Sequence, residues 1–221
     1  MIKLDRATKY VRMKGINKAI IDDVSFVIPR GKSLALLGRN GAGKSTLLQL
    51  IAGTLDLDRG RIIREGKISW PLGFQGSFQS KLTGEQNVRF VARIYGADTE
   101  ELVSYVAEFA ELGPFFRAPV STYSSGMKAR LAFGISMGIR FDYYLVDEIT
   151  AVGDSNFKKK SQRTFKDRLK DSDVIMVSHS AATLRSYCDS GIVLENGKLT
   201  YYDALEDAIA VHESNMKRHY A

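Results

Sequence analysis

Apolar positions along this chain follow two rhythms. Short runs bounded by turn residues read as strands at 2–12, at 24–28 (VSFVI) and at 33–37, with Pro29-Arg30-Gly31-Lys32 as a turn before the last of these. Residues 56–60 form a polar turn, and 61–63 and 67–70 are short strands broken at Glu65-Gly66. Trp70-Pro71 ends that run, with Trp70 read as a core residue. The stretch GFQGSFQSKLTGEQN, residues 73–87, is glycine-rich and polar and reads as irregular. From there the rhythm becomes helical. Val88, Val91, Ala92 and Tyr95 mark one helix; Leu102, Val103, Val106 and Phe109 mark a second; Met127, Leu131, Ile135 and Ile139 form the stripe of a third that begins near Ser124. Strands resume at 141–146 and 173–178, and two more flank the Glu195-Asn196-Gly197 turn. A basic helix is expected over 155–169, and Leu205, Ala208, Ile209 and His212 line a final one. The pattern predicts an α/β domain spanning 1–221, with a helical block over about 85–140 inserted in it.

The most informative stretch is LALLGRNGAGKSTLLQLIAG, residues 34–53. Four apolar residues end at Gly38, then Gly38-Arg39-Asn40-Gly41-Ala42-Gly43-Lys44-Ser45 fits G-x-x-x-x-G-K-[ST], and Leu47, Leu48, Ile51 and Ala52 share one helix face that Gly53 closes. Phosphate oxygens require converging backbone N–H groups, and side chains at Gly41 or Gly43 would obstruct them. The positive end of the helix beginning near Lys44 points at the same anion. Lys44 then reaches the β- and γ-phosphates, and the Ser45 hydroxyl ligates Mg²⁺.

Composition narrows the setting. Cys188 is the single cysteine, which excludes an internal disulfide and fits a reducing compartment. Three histidines and one cysteine at these separations make no familiar zinc site. No apolar run approaches the eighteen or so residues of a membrane span, and MIKLDRATKY does not read as a signal peptide, so a cytoplasmic location is expected. The net charge of +7 is compatible with nucleic acid, an anionic membrane face, or plain solubility. The Lys158-Lys159-Lys160 run reads as a solvated helix face.

Further residues complete the phosphate loop. An apolar strand ending in Asp147-Glu148 offers a carboxylate for Mg²⁺ at Asp147 and a general base toward water at Glu148. Gln75 and Gln79 are candidates for a metal-bound water or the γ-phosphate region. Ser124, Ser125 and Gly126 at a helix start read either as a plain cap or as hydroxyls and bare N–H groups turned outward. Tyr10 reads equally as a sheet aromatic and as a stacking partner for an adenine ring.

In this order and spacing, the motifs resemble the nucleotide-binding subunit of an ABC transporter over essentially the whole length. Gly38 to Ser45, followed by Thr46, resembles the Walker A loop, and Leu145 to Glu148 resembles Walker B. Gln79, followed by Thr83-Gly84-Glu85-Gln86-Asn87, matches the Q-loop, with Gln75 as the alternative. Ser124, Ser125, Gly126 and Met127 fall on the signature motif, in which Tyr123 and Met127 replace the usual Leu and Gln and Ser125 the first Gly. Asp154, after Gly153, falls on the D-loop position and His179 on the switch histidine; Tyr10 or Val11 falls on the adenine-stacking position. The wording SWPL, FQSKLTGEQN, TYSSGM, FDYYLVDE, TAVGD and MVSHS is similar to the ATPases of capsular polysaccharide exporters, with O-antigen and teichoic acid exporters as relations.

The resemblance implies a P-loop NTPase fold with an antiparallel β subdomain and an inserted helical subdomain. It also implies ATP and Mg²⁺ as cofactors, with Ser45, Gln79 and Asp147 as metal contacts. A head-to-tail homodimer would complete each site with the partner's signature helix. A separate integral-membrane permease would hold the chain at the cytoplasmic face of the inner membrane, and the polysaccharide would be handled mainly by partner subunits. Glu148 polarises water, His179 positions it and senses the γ-phosphate, and Gln79 links the site to the permease in that scheme. Two other classes stay open: a soluble ABC ATPase acting on nucleic acid or ribosomes, and a small-molecule kinase. The resemblance leads us to expect no nucleic acid.

Overall fold

A computed structural model describes residues 1–13, 16–72, 78–148 and 154–220. Gln75 and Gly153 lie outside the described residues. The chain divides into two compact units, one of Met1–Pro71, Phe141–Glu148 and Asp171–Ala221, the other of Leu72–Arg140 and Ile149–Lys170.

The first unit holds two sheets. In one, β1 (Ile2–Met13) lies between β2 (Ile16–Ile28) and β4 (Arg59–Arg64), antiparallel to both. In the other the order is β5 (Ile68–Leu72), β6 (Tyr143–Asp147), β7 (Asp173–Val177), β3 (Leu34–Leu37), β8 (Ser190–Glu195), β9 (Lys198–Tyr202). β3 runs parallel to both β7 and β8, and β6 parallel to β7, while β8 and β9 form the hairpin around Asn196-Gly197. β3 and the first four residues of β6 are buried throughout, as strands covered on both faces must be. Helix α1 (Lys44–Ala52) turns Leu47, Leu48, Leu50 and Ile51 inward, and one apolar core joins it to both sheets. Helices α6 (Ala181–Tyr187) and α7 (Leu205–Tyr220) follow β7 and β9, and α7 packs on β3, β8 and β9.

Several strands depart from the sequence reading for local reasons. β2 begins at Ile16, not 24, because INKAIIDD pairs with β1 through a register that shifts three times, which blurs the alternation. β4 begins at Arg59, inside what reads as a turn. There Gly60 runs so close to β1 that a Cβ would stand 2.1 Å from the Arg6 carbonyl oxygen, and its φ of 79° disfavours any other residue. Pro71 does not end β5, which continues to Leu72; as an edge strand it tolerates the missing N–H. Ser69 Oγ, on the buried side of β5, accepts from Leu145 N at 2.9 Å and donates to the Trp70 carbonyl at 2.7 Å. Trp70 itself packs edge-on against Phe141 at 5.6 Å.

The second unit is helical. α2 (Gly84–Tyr95), α3 (Thr99–Ala110), α4 (Ser125–Gly138) and α5 (Ser155–Arg168) pack in sequence, with two short 3₁₀ turns between α3 and α4. Residues 84–87, read as irregular, are the first turn of α2: Thr83 Oγ1 accepts from Gln86 N, and Gln86 Oε1 accepts from Thr83 N. This reciprocal cap was legible as T-x-x-Q. Phe109 centres the core, with its ring 6.0 Å from that of Phe133 and 5.5 Å from that of Phe157. Lys160 departs from the solvated face expected of it: its Nζ donates to the Phe109 carbonyl at 3.1 Å and to Glu111 at 2.6 Å, while Lys158 and Lys159 are exposed.

Candidate functional site

The phosphate loop leaves the end of β3, the strand between β7 and β8. Gly38 is buried, Arg39 half-buried and Asn40 exposed, and Ala42 N donates back to the Arg39 carbonyl at 3.0 Å. Gly43 caps α1 with φ 108° and has no side chain to satisfy the first N–H groups of the helix. A substitution there would meet Ile20 of β2, whose Cγ2 lies 2.4 Å from the place a Cβ would take. The helix therefore opens with unpaired donors and no acidic residue in its first turn, the condition for holding an anion. Ser45 is exposed at that turn and Thr46 half-buried.

Lys44 is half-buried. Its Nζ donates to the carbonyls of Gly38 at 2.6 Å and Arg39 at 3.1 Å, which arches the side chain over the loop. Burial pushes its pKa below the usual lysine value, and the carboxylates of Asp147 and Glu148 oppose that shift. Loop lysine and strand-end carboxylates therefore share one electrostatic environment.

The parallel pairing of β6 with β7 explains the next contact. Asp147 is in register with Val177, and Glu148 N donates to the Val177 carbonyl at 3.0 Å, so the residues just beyond each strand come together. There Glu148 Oε1 and His179 Nε2 lie 2.8 Å apart, both side chains more than half exposed. With the proton on Nε2, the imidazole donates to the carboxylate. Glu148 has φ 53°, a left-handed conformation that non-glycine residues adopt at a cost, as is common at functional positions.

Tyr10 is 42% exposed, and its hydroxyl donates to Asp22 Oδ1 at 3.1 Å. It borders a groove of about 620 Å³ with Arg6, Arg59 and Arg61. A smaller cavity of about 150 Å³ adjoins the phosphate loop, lined by Lys18, Arg39, Asn40 and His212 among others; Tyr10 does not border it.

The second unit carries the remaining candidates. Gln79 is exposed, and its backbone is held by a residue the sequence reading passed over. Asn87, 1% exposed on α2, accepts from Gln79 N at 2.9 Å and donates to the carbonyls of Gln79 and Thr83 at 3.2 and 2.9 Å. The signal was an asparagine on the apolar side of a helix, one residue before Val88. Ser124 caps α4, its Oγ accepting from Met127 N at 3.2 Å, with Ser125 exposed beside it. Gly126 leaves the cap open: a Cβ there would meet nothing nearer than Ser124 Oγ at 3.9 Å. Tyr123, in place of the usual Leu, is a buried anchor whose hydroxyl donates to the Phe115 carbonyl at 2.6 Å.

Asp154 caps α5, with Oδ1 accepting from Asn156 N and Phe157 N, both at 3.0 Å, and Oδ2 accepting from Arg130 at 2.6 Å. The Phe157 N–H bond, supported by that of Asn156 and by Arg130, holds its carboxyl below the usual range. Arg130, from α4, also lies 4.5 Å over the Phe157 ring, so one guanidinium joins the helix that Ser124 caps to the helix that Asp154 caps. Cys188 is buried, and its thiol is pushed up to about 12 by that burial, which leaves it a packing residue rather than a nucleophile.

The chain is similar to known proteins over most of its length. The family profile described as ABC transporter matches residues 21–151. The polysialic acid transport ATP-binding protein KpsT of Escherichia coli is 50% identical over 212 residues, covering 95% of each chain. The capsule polysaccharide export ATP-binding protein CtrD of Neisseria meningitidis serogroup B is 43% identical over 215 residues, covering 97% of this chain and 99% of its own. Among solved structures, a dimeric ATP-binding cassette in a post-hydrolysis state with ADP and Pi superposes with TM-score 0.74 over 93% of this chain and 99% of its own, at 21% identity, a likeness of fold. On the match of more than half its length and on these relatives, the chain belongs to the ABC transporter family.

Proposed function

We propose that this chain is the ATP-hydrolysing subunit that powers export of a capsular polysaccharide through a separate membrane permease. The observation that carries the reading is end-to-end similarity, at 50% and 43% identity, to proteins named for polysialic acid transport and capsule polysaccharide export. No helix among the described residues is long and apolar enough to cross a membrane, which fits a peripheral subunit held at the cytoplasmic face by its permease.

The roles follow from the chemistry of the site. The loop from Gly38 to Ser45, with Thr46, takes the phosphates; Lys44 neutralises charge toward the γ-phosphate. Mg²⁺ fits the donors present. Asp147 and Ser45 would supply oxygen ligands, and no cluster of three or more His, Cys, Asp or Glu exists among the described residues. Mg²⁺ characteristically binds through one or two carboxylates plus substrate phosphates rather than in an all-protein cage. When bound, it would draw charge from the phosphate oxygens; Gln79 is the further contact proposed for it. Glu148 takes the proton of the attacking water and His179, already bonded to it, fixes its aim. Tyr10 or Val11 would meet the adenine.

Ser124, Ser125, Gly126 and Met127 open a helix on which the N–H groups of Ser125 and Gly126, ahead of the capped Met127 N–H, suit a γ-phosphate. They act in trans, across a head-to-tail homodimer, alongside Asp154. Ser124→Arg is then expected to abolish hydrolysis while the monomer binds ATP normally by calorimetry. Loss of monomer binding would reject completion in trans.

The function is tested with membranes holding the cognate permease. They are expected to stimulate ATPase activity severalfold and, with ATP, to move polymer across the bilayer. Stimulation by RNA or DNA instead, or phosphate transfer to a metabolite, would overturn the reading.

A further inference from the structure

Strand β2 forms a wall along the phosphate loop. Ile20 fills the space beside Gly43, where a Cβ would lie 2.4 Å from its Cγ2. Two residues earlier on the strand, Lys18 Nζ donates to the Gly41 carbonyl at 2.6 Å. Alternate residues of β2 thus meet alternate residues of the loop. Lys18 also borders the cavity of about 150 Å³ beside Gly38, Arg39, Asn40 and Ala42.

A lysine ammonium has three donors, and the Gly41 carbonyl occupies one. Among the described residues no carboxylate pairs with Lys18, which is exposed and has no polar partner besides that carbonyl. Lys44 likewise rests on loop carbonyls, those of Gly38 and Arg39, with a donor to spare. Two ammonium groups therefore converge on one loop of backbone N–H groups, each anchored by a loop carbonyl and each able to take an anionic oxygen.

We propose that Lys18 is a second nucleotide-binding lysine, which donates to a phosphate oxygen of the bound nucleotide while it keeps its bond to Gly41. This rests on the reading of residues 38–45 as a nucleoside triphosphate site. The contact is with the phosphate chain, so it strengthens ATP and ADP and leaves adenosine untouched. Its strength is that of one charge-assisted hydrogen bond in a solvent-exposed position, and salt screens it.

The test is equilibrium binding to the full chain of ATP, ADP and, in competition, adenosine, for Lys18→Ala, Lys18→Arg and Lys44→Ala. Lys18→Ala is expected to weaken ATP and ADP about three- to tenfold, with adenosine unchanged and the deficit shrinking at high salt. Lys18→Arg keeps the charge and should retain most of the affinity. The thermal transition without nucleotide should not move, because the side chain is exposed. Wild-type ATP affinity in Lys18→Ala alongside a clear loss in Lys44→Ala would overturn the role of Lys18 alone. Unchanged affinity in both would overturn the phosphate-site reading as well. An equal loss for adenosine and ATP, or no recovery in Lys18→Arg, would also overturn the contact.

Discussion

Glu148→Gln is expected to lower steady-state ATP hydrolysis by about 10²- to 10⁴-fold, the range that one positioned general base supplies. The change is nearly isosteric. The amide oxygen still accepts from His179 Nε2, the backbone bond from Glu148 N to the Val177 carbonyl is untouched, and what disappears is the ability to take a proton. ATP affinity should therefore persist, and with the nucleotide bound but uncleaved the ATP-held dimer should accumulate. Phosphate release measured beside size-exclusion chromatography in ATP checks both parts. A rate equal to that of the unaltered chain would remove Glu148 as the base.

Lys44→Ala is expected to weaken ATP binding by at least about tenfold, and hydrolysis with it, since it removes a charge-assisted hydrogen bond to phosphate. The fold should tolerate the change. Lys44 is half-buried and its burial disfavours the charged form, so deleting the charge relieves a desolvation cost while two carbonyl contacts are lost. Calorimetric titration with ATP reads the affinity, and a thermal melt without nucleotide separates it from unfolding. Normal affinity would reject the phosphate loop.

The contrast between these two residues shows what was legible in the sequence. Lys44 belongs to a motif whose members are neighbours along the chain and whose residue types are forced by phosphate chemistry, so strand, loop and helix were readable together. Glu148 was readable as a strand-end carboxylate. Its partner His179 follows another strand, and the pair meets only because β6 and β7 run parallel in register. Pairing of that kind is set by tertiary structure.

The outer sheet was the least legible region. β1 and β2 pair through three register shifts, and a shifted ladder does not keep a clean two-residue alternation. β4 hides behind Gly60, which reads as a turn residue in sequence but is present because β1 passes too close for a side chain. Asn87 and Arg130 were missed for a related reason. Each is an ordinary polar residue on a helix, and only the folded unit shows one holding the turn at Gln79 and the other joining Ser124's helix to that of Asp154.

The left-handed backbone at Glu148 has a consequence for how this site tolerates change. Where a side chain is aimed by its packing neighbours, altering its size re-aims it. Here the turn of the main chain, pinned at 3.0 Å to the end of the adjoining strand, sets the direction before the side chain begins. Identity and orientation are thereby separable, so chemistry at this position can be switched off without moving the address at which it operates.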